Sequence, residues 1–291
     1  MDLIVKEMIT QQVRFLYDVQ RLRIASGQRA LKLPEQRLST RDQKYFKWLN
    51  ETLDDMETKT TQMVGRNLKG IPIWDEWLSG VKGVGPRMGG LLVAETHIEK
   101  CDTISKLWAW YGLAVKDGKA QVRIKGAKAN FNPWRKSKVL KILGESLIKQ
   151  GDKYYELYCN YKNRKETQMV NPCMCCNGTG KAKRTEEHQD GNEVVTFDTD
   201  VVEYVKVKTE TKLVTCWNCN GTGGPAPWGC SKMHRHNAAM RYMVKQFLAD
   251  LWIAWRHLEG LPITQSYAQR FMPEMHPART IKLASGTEIT I

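Results

Sequence analysis

The stretch WLSGVKGVGPRMGGLLVAE, residues 77–95, decides the fold of this chain. It reads as a short helix, a turn in which hydrophobic residues alternate with glycine, and a second helix. Gly83 and Gly85 predict a turn with positive φ and unobstructed backbone N–H groups. Pro86 suits the first turn of the second helix, where its missing N–H costs nothing. The glycine pair that follows predicts close helix packing, so the stretch indicates a helix-hairpin-helix.

This turn is a candidate phosphate site. A row of free amides at the positive N-terminus of a helix attracts phosphate groups. We therefore predict that Gly83, Val84 and Gly85 present their amides to a nucleic-acid phosphate, and that Lys82 and Arg87 flank it. Such contacts position a protein on nucleic acid without reading its sequence. The alternative is a tight helix–helix turn without a ligand.

The composition is strongly basic. The 291 residues include 45 Lys and Arg against 31 Asp and Glu, which gives a net charge of +14. A balance of this size favours a polyanionic partner, nucleic acid first and an acidic membrane second. An inert basic surface is the alternative.

Much of this charge lies in residues 116–141, where nine basic residues accompany one acid, Asp117. Phe131 and Trp134 lie among them, and aromatic rings beside cations suit stacking on bases and contact with phosphates. A solvated basic loop with core aromatics is the alternative. The predicted phosphate contacts are Lys116, Lys119, Arg123, Lys125, Lys128, Arg135, Lys136 and Lys138.

Two copies of C-x-x-C-x-G-x-G occur, CMCCNGTG at 173–180 and CWNCNGTG at 216–223. Four thiolates on two glycine-rich knuckles suit tetrahedral Zn²⁺. We predict one structural zinc held by Cys173, Cys176, Cys216 and Cys219, with unliganded dithiols as the alternative. The repeat resembles the cysteine-rich region of the DnaJ chaperones, with two copies instead of four.

Three further residues near the second knuckle, Cys230, His234 and His236, carry metal-binding groups. Part of a second metal site is one interpretation, although no fourth ligand is evident. Helix capping or phosphate contact by the two histidines is the other.

Apolar residues recur at helical spacing through most of the chain. We therefore predict a mainly α fold with a small β-containing, zinc-ribbon-like insert. The predicted divisions are an N-terminal helical hairpin or coiled coil (1–70), a helix-hairpin-helix body (71–170), the insert (171–229), a helix completing the body (230–260) and an extended tail (261–291). Residues interpreted as core stripes are Val5, Met8, Phe15, Val19 and Leu22 with Ile9, Val13 and Leu16 beside them, then Tyr45, Trp48, Leu49, Thr52, Leu53, Met56 and Met63.

The order of four segments resembles the C-terminal domain of the DEDD-type insertion-sequence transposases, the bridge-RNA recombinases related to the Piv invertases. The segments are GVKGVGPRMGGLLVAETHIEKCDTISKLWAWYGLAVKDGK, WRKSKVLKILGESLI, YYELYCNYKNRKE and HNAAMRYMVKQFLADLWIAW. The likeness covers about residues 42–170 and 231–258. It implies nucleic-acid binding, a role in DNA recombination or transposition, and an origin in a phage or mobile element.

Two departures from that family concern its chemistry. The family begins with a RuvC-like nuclease domain, for which this sequence has no room before the coiled coil. It also uses a serine in a short stretch that KDGK (116–119) matches here, so that Asp117 stands in the serine's place. We therefore expect that the chain alone does not cleave or join DNA.

Three functions compete at this point. The first is a DNA-binding protein that grips the backbone, and the second is a recombinase or nuclease that needs a partner subunit or uses acids such as Glu95, Glu99 and Asp102. The third is a structured-RNA-binding module. The N-terminal helices also offer a surface for homo-oligomers. The sequence has no signal-peptide core and no apolar run of about 20 residues, so we expect a cytoplasmic, nucleoid-associated protein of a prokaryotic or phage-infected cell.

Overall fold

A computed structural model describes residues 2–32, 38–116, 119–167, 173, 175–197, 200–223, 232–271 and 278–291. The chain divides into two compact units, Met1–Tyr158 with Met240–Ile291, and Cys159–Ala239. The α-helices are α1 Leu3–Leu31, α2 Thr40–Leu68, α3 Pro72–Glu76, α4 Pro86–Glu95, α5 Ile104–Trp110, α6 Pro133–Ser137, α7 Gly144–Gln150, α8 Lys153–Thr167, α9 Lys232–Leu258 and α10 Tyr267–Phe271. The strands are β1 Val115–Lys116, β2 Lys119–Ala120, β3 Lys181–Phe197, β4 Asp200–Thr215, β5 Thr280–Lys282 and β6 Glu288–Thr290. The predicted fold class, mainly helical with a small β-containing part that carries cysteines, is confirmed.

Helices α1 and α2 form an antiparallel hairpin. The side chains of Gln12 and Asn67 are hydrogen-bonded at 2.9 Å, and Arg23 meets Glu57 at 2.7 Å. From Gln12 to Arg23 along α1, the partners on α2 run backwards from Asn67 to Glu57, so the two helices run in opposite directions. A capping box begins α2 and satisfies two amides that the helix itself leaves free (N-cap Ser39).

The predicted core stripes of this hairpin are partly wrong. Phe15 is 48% exposed and Trp48 is 58% exposed. Val19 is buried as predicted, and the rest of the buried side of α1 includes Ile9, Val13 and Leu16, the apolar residues noted beside the predicted stripe. Periodicity identified the apolar residues, but only packing decides which of two neighbouring apolar rows turns inward. The predicted core residues that are exposed in the structure are Met8, Phe15, Leu22, Tyr45, Trp48, Met56 and Met63.

Helix α4 approaches its neighbours closely because two glycines line it. A Cβ on Gly89 would overlap the ring of Trp74, and a Cβ on Gly90 would overlap Val64 of α2. Every residue of α4 from Met88 to Glu95 is buried. The glycines that the sequence marked therefore seat α4 against α2 and α3, and this position fixes the turn that precedes α4.

Helix α9 contributes more buried apolar residues to the core of the first unit than any other described helix. Phe247, Trp252 and Trp255 are almost fully buried, and the indole of Trp252 donates a 2.6 Å hydrogen bond to the carbonyl of Cys101. Its one buried acid, Asp250, accepts a 2.8 Å hydrogen bond from the Tyr154 hydroxyl. The acid also pairs with cations, so the charge within this core is compensated.

The C-terminal tail is not the extended segment that the sequence suggested. Its described part contains α10 and a hairpin of β5 and β6, in which Ile281 pairs with Ile289. Both side chains are buried, as is Leu283. The amide of Ala284 donates to the carbonyl of Glu76 at 2.8 Å. Three apolar residues spaced for one face of a hairpin therefore anchor the tail.

The second unit contains a long two-stranded ribbon. Strands β3 and β4 are antiparallel, with Lys181 opposite Thr215 and Phe197 opposite Asp200. A register shift between Gln189 and Asn192 marks a bulge. The ribbon joins the two cysteine knuckles, because β3 begins directly after the first and β4 ends directly before the second.

Candidate metal centre and nucleic-acid interface

The two cysteine knuckles have the same backbone conformation. Asn177 and Asn220 both have positive φ, 46° and 50°. In each knuckle the threonine hydroxyl donates to the carbonyl of the second cysteine, from Thr179 at 2.7 Å and from Thr222 at 2.8 Å. The glycines beside these residues also lie in the left-handed region. The N-G-T-G sequence therefore builds each turn, because asparagine and glycine tolerate positive φ better than other residues.

The knuckles are bonded to each other by a reciprocal pair of hydrogen bonds. The amide of Cys173 donates to the carbonyl of Gly223 at 3.1 Å, and the amide of Cys216 donates to the carbonyl of Gly180 at 2.8 Å. A Cβ on Gly180 would overlap the carbonyl oxygen of Gly221. The first cysteine of each knuckle is thus fixed by the last glycine of the other.

This arrangement brings all four predicted ligands together. Cys173 and Cys216 have their Sγ atoms 3.8 Å apart, and the Sγ atoms of Cys176 and Cys219 are 3.7 Å apart. These distances are far longer than a disulfide bond of about 2.05 Å. All four sulfurs lie within 4.8 Å of one another and are buried, so the group could hold a metal ion. Within the described ranges, no other group of three or more potential metal ligands converges.

The thiols have unequal acidities. Burial acts to raise the pKa of Cys173, but hydrogen bonds from the Cys176 and Cys175 amides and the Asn218 side chain lower it to about 6. The Asn218 amide lies 3.3 Å from that sulfur. The pKa of Cys216 is raised, first by burial and also by its thiol neighbours. Four adjacent thiolates repel one another, and a bound cation removes that penalty.

The glycine turn is only partly what the sequence predicted. Gly83 has φ of +91°, as expected, whereas Gly85 has φ of −83° and caps α4 in an extended conformation. The amide of Val84 donates to the carbonyl of Val81 at 3.0 Å, so it is not free. No hydrogen-bond partner for the amides of Gly83 and Gly85 is found among the described residues. The row of three free amides is therefore corrected to two, because the turn uses the middle amide to close itself.

The two charged residues that flank the turn differ in their surroundings. Lys82 is well exposed and lies 3.8 Å from Asp152. Arg87 contacts the buried carboxylate of Glu57, which Arg23 also holds. The side chain of Arg87 is one-third exposed, and its ion pair with Glu57 joins α4 to α2.

Arg135 corrects the prediction of a phosphate contact. Its guanidinium is buried and donates to Glu95 Oε2 at 2.8 and 3.1 Å. It also lies over the ring of Trp110, 4.1 Å from the centroid. A buried charge requires a partner, and Glu95 provides it here. Arg135 therefore joins α6 to α4.

Three exposed cations among the predicted phosphate contacts lie in one segment, residues 122–128, called the basic loop. Arg123, Lys125 and Lys128 are all exposed, and for these three no acidic partner is found in the parts of the chain that the structure describes. Gly126, with φ of +81°, closes the turn, and the amide of Ala127 donates to Ile124. No acid occurs between residues 119 and 132, so the loop is a concentrated positive surface.

Two further predicted contacts, Lys136 and Lys138, lie over aromatic rings. The Lys136 amine is 4.6 Å from the centroid of Phe131 and donates to the carbonyl of Gln121, which fixes the start of the loop. The Lys138 amine is 3.6 Å from the centroid of Tyr17. Only the backbone of Lys116 and Lys119 is described, as the β1–β2 pair.

Each of the acids considered for catalysis has a different basic partner. Glu95 binds Arg135, Asp102 binds Lys106 at 2.7 Å, and Glu99 lies 3.3 Å from His97. Asp117, at the place of the family's serine, lies outside the described residues, and so does Cys230. Among the described helices, none has the length and hydropathy needed to cross a membrane.

Comparison of the chain with protein-family models, curated proteins and solved structures found no match. Sequence reasoning missed Glu57, the carboxylate that holds Arg87. It named Glu95 only as a candidate catalytic acid and not as the partner of Arg135. Each lies 30 or more residues from its arginine, so no local pattern signals the pairing.

Proposed function

We propose that this chain is a DNA-binding protein that holds the phosphate backbone through the basic loop and the glycine turn before α4. The observation that carries the proposal is the basic loop. Its three exposed cations, Arg123, Lys125 and Lys128, have no acidic partner among the described residues. Cations that a fold leaves uncompensated on one short segment attract a polyanion, and phosphate contacts of this kind dominate affinity for nucleic acid.

The glycine turn supports the same function. Gly85 is the N-cap of α4 and Gly83 lies two residues before it, so their amides are close to the helix N-terminus, where the helix dipole favours an anion. The exposed Lys82 adjoins Gly83 in the sequence. Backbone contacts do not read bases. We therefore propose that binding depends on the phosphate backbone and little on sequence.

The resemblance to the C-terminal domain of the DEDD-type transposases supports a place in DNA recombination or transposition, in a phage or mobile element. It rests on sequence segments alone. We assign no chemistry to this chain, and a catalytic subunit would supply any strand cleavage.

We also propose that the metal of the four-cysteine centre is Zn²⁺, with a structural role. A tetrahedron with Zn–S bonds of about 2.3 Å has sulfurs about 3.8 Å apart, and two Sγ–Sγ distances are 3.8 and 3.7 Å. Four thiolates without an open position suit a structural site. The residues that would hold the ion are Cys173, Cys176, Cys216 and Cys219.

The DNA-binding proposal is tested by a salt titration of binding to duplex DNA. About six neutralised phosphates give a slope of log K against log salt near −5. The variant Arg123→Gln/Lys125→Gln/Lys128→Gln removes three contacts, so we expect its slope to be less negative by about 2.5.

A matched control removes the same charge elsewhere. Lys44, Lys47 and Lys59 are exposed on α2, and changing all three to Gln lowers the net charge equally. We expect the control to retain nearly the wild-type slope on unrelated sequences. Equal slopes for the two triple variants would show that general charge, and not the basic loop, attracts the DNA.

A further inference from the structure

A groove of about 460 Å³ runs between α1 and the segment that begins with α6. Its size is within the range of small-molecule sites. One wall is about three turns of α1, from Tyr17 to Gln28, and the other carries an aromatic ring and a lysine. The residues that line it include Tyr17, Asp18, Arg21, Ile24, Trp134 and Lys138.

One end of the groove is cationic. The Lys138 amine lies over the ring of Tyr17. Burial lowers the pKa of Lys138, and the positive charge of Arg87 lowers it further. No acidic partner for this amine is found among the described residues. The one acid that lines the groove, Asp18, already pairs with Arg21 at 3.1 Å. The positive charge of Lys138 at this end of the groove can therefore attract an anion.

A second observation points to the same place. The hydroxyl of Tyr17 is buried and has no hydrogen-bond partner among the described residues. Burial raises the pKa of this hydroxyl to about 12, so it remains protonated and can donate. Buried polar groups in folded proteins nearly always have a partner. An orphan donor on the same ring that the Lys138 amine covers fits a missing acceptor.

The other wall of the groove has an aromatic ring available for stacking. Trp134 packs edge-on against Tyr17, with centroids 5.4 Å apart and planes at 87°, and it is 37% exposed. Ile24 is about half exposed nearby. A ring fixed by a T-shaped contact keeps its orientation, and an oriented, partly exposed indole is suited to stacking on a base.

We propose that this groove holds one unpaired nucleotide of DNA, with its base stacked on Trp134 and its phosphate at Lys138 and the hydroxyl of Tyr17. The inference rests on the proposed DNA binding and adds a preference for DNA with an extrahelical or single-stranded nucleotide. In this arrangement the basic loop binds the phosphate backbone of duplex DNA, and the groove binds the unpaired nucleotide that interrupts the duplex.

The test compares a perfect duplex with the same duplex carrying one bulged nucleotide. Stacking one base on an aromatic side chain changes affinity by roughly 5- to 150-fold, so we expect the wild type to prefer the bulged duplex by at least about fivefold. Equal affinity for the two duplexes would overturn the groove proposal and leave the proposed DNA binding intact. Failure to bind either duplex would overturn both.

Two tryptophan variants locate the preference. Trp134→Ala should bind both duplexes with the affinity that the wild type has for the perfect one, while Trp134→Phe should keep most of the preference. Trp48→Ala is the matched control, since Trp48 is an exposed tryptophan that does not line the groove. Loss of preference in Trp48→Ala and retention in Trp134→Ala would refute the assignment.

Tyr17→Phe separates ligand contact from folding. The hydroxyl has no partner among the described residues, so its removal should leave the melting temperature unchanged or raised. A hydrogen bond to a charged group is worth about tenfold or more in affinity, so binding of the bulged duplex should weaken by that factor while binding of the perfect duplex does not. A stable Tyr17→Phe variant with the full preference would remove the hydroxyl from the site.

Discussion

Gly180→Ala should weaken metal binding although no ligand is changed. Gly180 has φ of +73°, and an alanine in this left-handed conformation costs about 1–2 kcal/mol, which is roughly 5- to 30-fold in affinity. The added Cβ would also overlap the carbonyl of Gly221. The amide of Gly180 donates to Cys176 Sγ at 3.3 Å, and losing such an outer contact typically costs 10- to 100-fold in metal affinity. We expect a combined loss of about 100- to 1000-fold.

The assay is competition for Zn²⁺ between the protein and a chromophoric chelator, at one fixed pH because the thiols must lose protons to bind. Gly126→Ala is the control, since Gly126 has φ of +81° and open space around its Cα. The Gly126→Ala variant has the same kind of backbone strain, but in the basic loop and not in a cysteine knuckle, so it should bind metal like the wild type. A folded Gly180→Ala protein with affinity within threefold of the wild type would refute the argument that close contact between the knuckles fixes the sulfurs.

Two further predictions concern the first unit. Gly83→Ala should lower the melting temperature by roughly 2–8 °C, because Gly83 has φ of +91° and an added Cβ would lie 3.1 Å from the carbonyl oxygen of Ser146. Gly85→Ala should leave the melting temperature unchanged, since φ of Gly85 is −83° and no atom lies within 4 Å of an added Cβ. Equal calorimetric shifts for the two variants would contradict this. Burial acts to raise the pKa of Glu57, but its hydrogen bond from Arg23 and the nearby arginine charge lower it below its usual value. The carboxylate therefore stabilises the fold above its unfolded pKa of about 4.3, and this contribution is lost as pH falls through the lower folded value. Wild type should exceed Glu57→Gln in stability by about 1–3 kcal/mol at pH 7, and thermal melts between pH 6 and 3 should show the gap closing.

The metal centre was predictable from sequence because its information is local. Each C-x-x-C pair and its glycines lie within eight residues, and Cys173, Cys176, Cys216 and Cys219 converge as their spacing indicated. The long helices were predictable for a similar reason, since an apolar repeat of 3.6 residues is visible in any window of the chain.

Most of the features that the sequence did not predict depend on which surfaces of the fold pack against each other. Phe15 and Leu16 are neighbours of similar hydrophobicity, and only the packing of α1 against other elements, α2 and α4 among them, makes Leu16 the buried one. Arg135 lies in a basic segment and reads as a phosphate ligand until Glu95, 40 residues earlier, is placed beside it. Gly85 resembles Gly83 in sequence, but its place directly before Pro86 favours an extended backbone. The first two outcomes are tertiary, so local pattern could not supply them, whereas the effect of Pro86 on Gly85 is local and was visible in the sequence.

The reciprocal bonding of the knuckles has a consequence for how the metal centre is assembled. Because Cys173 meets Gly223 as Cys216 meets Gly180, the two knuckles face each other as identical subunits do across a two-fold axis. One eight-residue unit, C-x-x-C-N-G-T-G, thus forms both halves of an isologous interface within a single chain. The β3–β4 ribbon acts as the tether, since it turns the encounter of two half-sites into an intramolecular event at high effective concentration. A duplicated half-site joined by a hairpin is a direct route from a metal-bridged dimer to a domain insert.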